Sequence, residues 1–398
     1  MKIAFVVQRY GEDVLGGAEN QARFVAERLV RQGLDVTVLT TTSKDHLKWD
    51  DFFPAGHSTL NGVKIQRFLV TKRKQFFFKL YHHGVRFFLK RHRFFDGFKP
   101  LVQAIDALWF VLQGPVMQGL SPILKDYDCL FFFTYLYAPT VFGLPQVYEK
   151  AVLVPEAHDE DPFYFPSIAS LFQYSKYVFF NTNAERDLAT GCGYLFSSQS
   201  WVVGCGVDIE ERCLQTSVKP GQKRSRKFLL FMGRFDEKKG VSKLLSFYQS
   251  YRDLANDPLD LVMIGDGVEK LGHEIPGVKT LGFVSAETRN GLLAEAQAVV
   301  SFSQQESLSL VVLEALSVGT PVLLGATCQV FEDYSKQVPL VRLCRTADIF
   351  CAEVQGLHSS FSKEQILFSQ EWVQKNYGWN RVLEMYKTLA KHCMNVAG

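Results

Sequence analysis

The sequence predicts an α/β protein built from two doubly wound, Rossmann-like domains in tandem. Three observations point there. Short apolar runs of strand length recur along the chain, as strands buried on both faces of a parallel sheet require. Segments with apolar residues at helical spacing separate them, so the elements alternate as βαβ units. The alternation breaks once, at a polar stretch from 206 to 226 that holds Pro220-Gly221 and runs into the basic Lys223-Arg224-Ser225-Arg226-Lys227, and then restarts.

The first unit of this pattern opens the chain. Ile3 to Val7 is a continuous apolar run, 11–17 a glycine-containing loop, and 18–32 a helix with Ala22, Val25, Ala26, Leu29 and Val30 on one face. Gly33 caps that helix and 36–39 is the next strand. Strands at 63–70, 129–133, 151–154, 177–181 and 201–203 follow, with helices at 101–113 and 184–190. Past the junction, strands at 228–232, 259–264, 278–281, 298–302 and 321–324 alternate with helices at 241–255, 268–273, 286–296 and 310–318. Two amphipathic helices, 363–375 and 379–390, close the chain. The expected domains are therefore 1–208 and 209–376, with 377–398 packing back on the first. Ligands of such sheets bind beyond the carboxyl ends of the strands, which predicts a cleft between the domains as the site.

The 398 residues are 47% hydrophobic and 21% charged, enough apolar surface for two cores and too little charge for a disordered chain. The net charge of +3 names no partner. Eight cysteines occur without a C-x-x-C pair, which argues against zinc and redox sites and suits a reducing cytosol. The apolar start is too short for a signal peptide, and no apolar run is long enough to span a membrane. A cytoplasmic location is expected.

Six segments are candidates for chemistry. In Ser303-Gln304-Gln305-Glu306-Ser307-Leu308-Ser309-Leu310, a strand runs through a loop into a helix. Backbone amides at Ser309 and Leu310 favour a phosphate there, and the carboxylates of Glu306 and Glu314 suit vicinal hydroxyls. In Gly233-Arg234-Phe235-Asp236-Glu237-Lys238-Lys239-Gly240, Arg234 and Lys239 are two cations past a strand end, able to neutralise a diphosphate without a metal. Gly16-Gly17 and Gly265-Asp266-Gly267 are turns that let backbone approach closely. Neither matches G-x-G-x-x-G, and no G-x-x-x-x-G-K-[ST] loop exists. His158 stands past the strand 151–154 in an acidic loop, where it serves either as a sugar ligand or as a surface residue. The acidic residues around it do not call for a metal, because Arg234 and Lys239 already supply positive charge. The stretch 72–99 interleaves basic residues with phenylalanines. It reads either as amphipathic helices for an anionic membrane face or an acidic glycan, or as core-packing helices with a basic exterior; nucleic acid is not the expected partner.

Together these motifs resemble the retaining glycosyltransferases of family 4 (glycosyl transferases group 1), with the GT-B fold of two Rossmann-like domains facing across a cleft. The likeness extends from Gly16-Gly17-Ala18-Glu19 to Gly319-Thr320-Pro321-Val322. Glu306 and Glu314 match the family's E-x7-E motif, and Gly233, Arg234, Lys239 and Gly240 its G-R-x-x-x-x-K-G motif. Gly206-Val207-Asp208 and Gly265-Asp266-Gly267 match two further turns. The resemblance implies a nucleotide-diphosphate sugar donor and an acceptor glycan or lipid-linked glycan. Transfer would retain anomeric configuration, as in hexosyltransferases, with no metal and no cofactor. Such an enzyme would build polysaccharide or surface glycan, on the inner face of the membrane if 72–99 binds lipid. It assigns Glu306 to sugar hydroxyls, Glu314 to the ribose, Arg234 and Lys239 to the diphosphate, the Gly16-Gly17 loop to closure over it, and His158 to the transferred sugar. Ser309 departs from the family's usual glycine at a turn where φ matters. The alternatives are an epimerase of the same fold and a catalytically silent nucleotide-sugar-binding subunit.

Overall fold

The computed structural model describes residues 1–398 apart from 15, 47, 71–77, 79–80, 83, 87–88, 90–98, 195–198, 209–227, 268–274, 358–360 and 397–398. The expected helix 268–273, most of the polar junction 206–226 and most of the basic stretch 72–99 therefore lie outside the described residues. The chain divides into two units, Met1–Gly206 with Asn380–Gly398, and Val207–Trp379.

The first unit holds strands β1 (Lys2–Val6), β2 (Asp35–Thr41), β3 (Gly56–Leu60), β4 (Val63–Phe68), β5 (Cys129–Phe133), β6 (Ala151–Val154), β7 (Tyr177–Phe180) and β8 (Gln199–Val202). They form one sheet in the order β3-β4-β2-β1-β5-β6-β7-β8. Every neighbouring pair is parallel except β3 and β4. Strands β5, β6 and β7 are buried at every position, which is why they read as unbroken apolar runs. The edge strand β3 was not expected. Its Gly-His-Ser-Thr-Leu sequence is almost fully exposed and has no apolar alternation. Hairpin pairing holds it, through Asn61 and Gly62 at φ 51° and 83°, the two positive values of a tight hairpin turn.

The helix Trp379–Val396 lies mainly in this same unit, its residues from Asn380 on being grouped there. Val382, Leu383, Tyr386, Leu389, Ala390 and Cys393 form its buried stripe at helical spacing. The Tyr386 ring packs on Phe131 and Phe179 of the sheet, with centroids 4.8 and 5.2 Å away. Arg381 donates to the carbonyl oxygens of Val202 and Val203 at 2.8 and 3.1 Å, fixing the helix to the end of β8.

The second unit holds β9 (Phe228–Met232), β10 (Asp260–Ile264), β11 (Val278–Gly282), β12 (Ala298–Ser301), β13 (Val322–Gly325) and β14 (Val341–Cys344). Their order is β11-β10-β9-β12-β13-β14, all parallel. Strand β14 and the helices Gln329–Gln337 and Ala347–Gly356 go beyond the sequence expectation. Arg342 interrupts the apolar run of β14, and the strand's middle is only half buried. The boundary also differs from the expected 208/209. The Val207 amide donates to the Tyr377 carbonyl at 2.9 Å and Val207 pairs with Gly378, so Val207 and Asp208 belong to the second unit. No disulfide joins the described cysteines.

Candidate active site

In a doubly wound sheet, ligands bind where the strand order reverses. In the second unit the reversal lies between β9 and β12, its two central neighbours. The loop after β9 carries Gly233 to Gly240 and the loop after β12 carries Phe302 to Ser309. The two are tightly joined. Gly240 has φ +69°, and a Cβ on it would sit 2.0 Å from the Phe302 carbonyl oxygen, so only glycine fits. The Gln304 amide donates to the Lys238 carbonyl at 3.0 Å, and its side-chain amide to the Glu237 carbonyl at 3.3 Å. Gly265 supports this corner from β10, where a Cβ would lie 1.9 Å from the Gly233 carbonyl oxygen. Gly265 thus serves close packing of backbone on backbone.

This joining brings Lys239 and Glu306 together. Lys239 Nζ lies 2.6 Å from Glu306 Oε1, with side chains 29% and 14% exposed. Arg234 is differently placed. Its Nε pairs with Asp236 Oδ2 at 3.0 Å, and about half of its side chain faces solvent. Asp236 also accepts from the Lys239 amide at 2.9 Å, capping the turn Glu237–Lys239.

Ser309 stands at the N-terminal cap of the helix Leu310–Ser317 with φ 63° and ψ 76°, the left-handed region, and makes no side-chain cap. Holding a serine there costs roughly 1 kcal/mol. The left-handed turn is therefore retained without the glycine. The first backbone bond of the helix runs from the Val312 amide to the Ser309 carbonyl at 3.1 Å, so the amides of Ser309, Leu310 and Val311 precede it and have no intrahelical acceptor. Such a helix start attracts anions. Tyr334 fixes the turn by donating to the Leu308 carbonyl at 2.7 Å.

Glu314, in the same helix, meets a residue that the sequence did not single out. Arg289 Nη2, from the helix Ala286–Glu295, lies 2.5 Å from Glu314 Oε1. Burial raises the Glu314 carboxyl above the usual range, Arg289 opposes the rise, and Asp208 adds to it. Nothing in the sequence pattern pointed to Arg289, a polar residue on a helix, far from Glu314 along the chain.

The remaining sequence candidates lie in the first unit. Gly16 caps the helix Gly17–Arg31 in an extended conformation, and a Cβ on it would be 1.9 Å from Glu19 Oε2. The close approach at Gly16 is thus to the chain's own Glu19, which is buried and accepts from Gln8 Nε2 at 2.7 Å and from Arg9 Nη2 at 2.6 Å. Gly17 has open space beside it. His158 follows β6. Two residues earlier, Glu156 is buried at φ 52°, and its Oε1 has no hydrogen-bond partner. Burial and the charges of Glu19 and Glu185 push its carboxyl well above the usual range. Glu185 ties the His158 loop to the end of β7, accepting from the Ala157 amide at 2.5 Å and the Asn181 amide at 2.6 Å. Burial pushes its carboxyl up to about 8 against those backbone donors. Asp159, Glu160 and Asp161 turn to separate partners, the Tyr164 hydroxyl, the Tyr135 hydroxyl and Arg86 Nε.

Residues 215–337 match the family model described as glycosyl transferases group 1. A phosphatidyl-myo-inositol mannosyltransferase of Propionibacterium freudenreichii subsp. shermanii is 29% identical over 134 residues, covering 33% of this chain and 34% of that protein. One from Mycobacterium leprae is 27% identical over 184 residues, 43% of this chain and 49% of that protein. The matched stretch thus spans a third to a half of these curated relatives. Among solved structures, sucrose-phosphate synthase from Thermosynechococcus elongatus superposes over 100% of both chains with TM-score 0.67 and 15% identity. Anabaena Alr3699/HepE in complex with UDP-glucose superposes over 98% of this chain and 100% of that one, with TM-score 0.60 and 15% identity.

Proposed function

The chain belongs to the glycosyl transferases group 1 family and has the GT-B fold, and from that premise we propose that it moves a sugar from a nucleotide-diphosphate sugar to an acceptor glycan or lipid-linked glycan. The Lys239–Glu306 pair beside the bare helix start at Ser309 is the observation that carries the proposal. Cation and amides offer charge to a departing diphosphate, and the carboxylate offers an acceptor to sugar hydroxyls. Arg234 adds a second, more exposed cation. Glu314 takes the ribose.

Transfer proceeds with retention, the leaving phosphate oxygen accepting the acceptor's proton as the sugar passes through an oxocarbenium-like state. Lys239, Arg234 and the amides of Ser309 and Leu310 supply the positive field, so no metal is required. The Gly16-Gly17 loop and His158 act on the donor by resemblance to the family, His158 as a hydrogen-bond partner of the transferred sugar. Similarity to proteins described as phosphatidyl-myo-inositol mannosyltransferases supports a hexosyl donor and a lipid-linked acceptor.

The test is a panel of nucleotide sugars offered to the purified protein, with and without glycan acceptors, and product analysis by mass spectrometry. Transfer, or slow donor hydrolysis without acceptor, is expected. A changed sugar released without acceptor would assign an epimerase instead. Absence of binding and of turnover across the panel would overturn the proposal.

A further inference from the structure

Glu314 presents its two oxygens unequally. Oε1 is taken by Arg289 at 2.5 Å, whereas Oε2 has no protein partner among the described residues, and about a fifth of the side chain is exposed. Arg289 is held by the packing of its helix, where Thr320 Oγ1 donates to the Leu293 carbonyl at 2.8 Å. We infer that Arg289 is a positioning residue for nucleoside recognition: it holds one oxygen of the Glu314 carboxyl and leaves the other for the ribose hydroxyls. The inference rests on the proposed assignment of Glu314 to the ribose.

The physical case is a competition over the Glu314 proton. A ribose diol donates, and an ionised carboxylate accepts far better than a carboxylic acid. Burial and Asp208 favour the acid form of Glu314, and Arg289 opposes them. Among the described residues these are the charged groups acting on it. Removing the guanidinium leaves a crowded carboxyl facing Asp208 alone, so the acid form gains and the acceptor weakens. By engaging Oε1, Arg289 also restricts the Glu314 rotamer.

The test is calorimetric titration of UDP and GDP, each beside its 2′,3′-dideoxy analogue, into wild type, Arg289→Leu, Arg289→Lys and Glu314→Gln at pH 6.5 and 8.5. Arg289→Leu is expected to weaken the ribonucleotide about tenfold at pH 6.5 and less at pH 8.5, since Glu314 regains its charge as pH rises. Arg289→Lys restores most of the affinity, and the dideoxy analogue binds wild type and Arg289→Leu alike. Equal loss for both nucleotides at both pH values would mean a packing role and overturn the inference. Loss of ribose discrimination in Glu314→Gln but not in Arg289→Leu would overturn the inference alone. Discrimination unchanged in Glu314→Gln would remove the ribose assignment, and the inference with it.

Discussion

Glu156 shows how much a single residue can be asked to bear. Its backbone is left-handed, its side chain is buried, and its Oε1 meets no donor. Two carboxylates, Glu19 and Glu185, add to the desolvation that raises its pKa. A folded pKa above the unfolded value of about 4.3 contributes stability at low pH that is lost as pH rises toward the folded value. Glu156→Gln mimics the protonated acid and removes this loss. Melting temperatures are expected to favour the variant over wild type at pH 8 and to converge toward pH 5. A variant that melts equally below wild type at both pH values would contradict this. In the sequence Glu156 was one acidic residue in a loop chosen for His158, because local pattern carries no measure of burial. Lys239 and Glu306 were legible, since each sits at a strand-to-helix turn. Arg289 was not, because only the packing of two helices brings it to Glu314.

At the scale of elements, the site depends on two loops sharing one corner. The Gly240 turn and the end of β12 touch backbone to backbone, with no room for a Cβ. Gly240→Ala adds the cost of a left-handed alanine, roughly 1 kcal/mol, to an overlap that must separate the loops. A fall in melting temperature of about 10 °C is expected, along with loss of nucleotide binding. A variant within a degree or two of wild type with unchanged binding would show that the corner can open freely. The elements themselves were read well where they are buried on both faces, as in β5 to β7. Exposed β3 and the Arg342-interrupted β14 escaped because neither presents an apolar period. For β3 the Asn61-Gly62 pair was the available signal.

At the scale of the whole molecule, the sequence conveyed two α/β units and a break between them, because composition changes at 206–226. The sequence reading also expected 377–398 to pack on the first unit, and Asn380–Gly398 groups there through the contacts of Tyr386 and Arg381. No described helix is long and apolar enough to cross a membrane. Of the two readings of the basic stretch 72–99, attachment to an anionic surface would also draw on the exposed Leu101, Leu108 and Val111 of the helix Lys99–Gln113, and vesicle binding tests it against core-packing helices with a basic exterior. Sedimentation with phosphatidylglycerol-rich vesicles at low salt, reversed at high salt, is the expected result. A protein left in the supernatant at low salt would count against it.

The central claim is that the turn between β12 and the helix Leu310–Ser317, with Lys239, binds the diphosphate of a nucleotide sugar. The most direct measurement is calorimetric titration of UDP and GDP into wild type and Lys239→Ala. At least one nucleotide should bind wild type, and the variant should bind it at least about tenfold more weakly, as loss of a charged phosphate contact requires. Binding of neither nucleotide, or equal binding by the variant, would contradict the account.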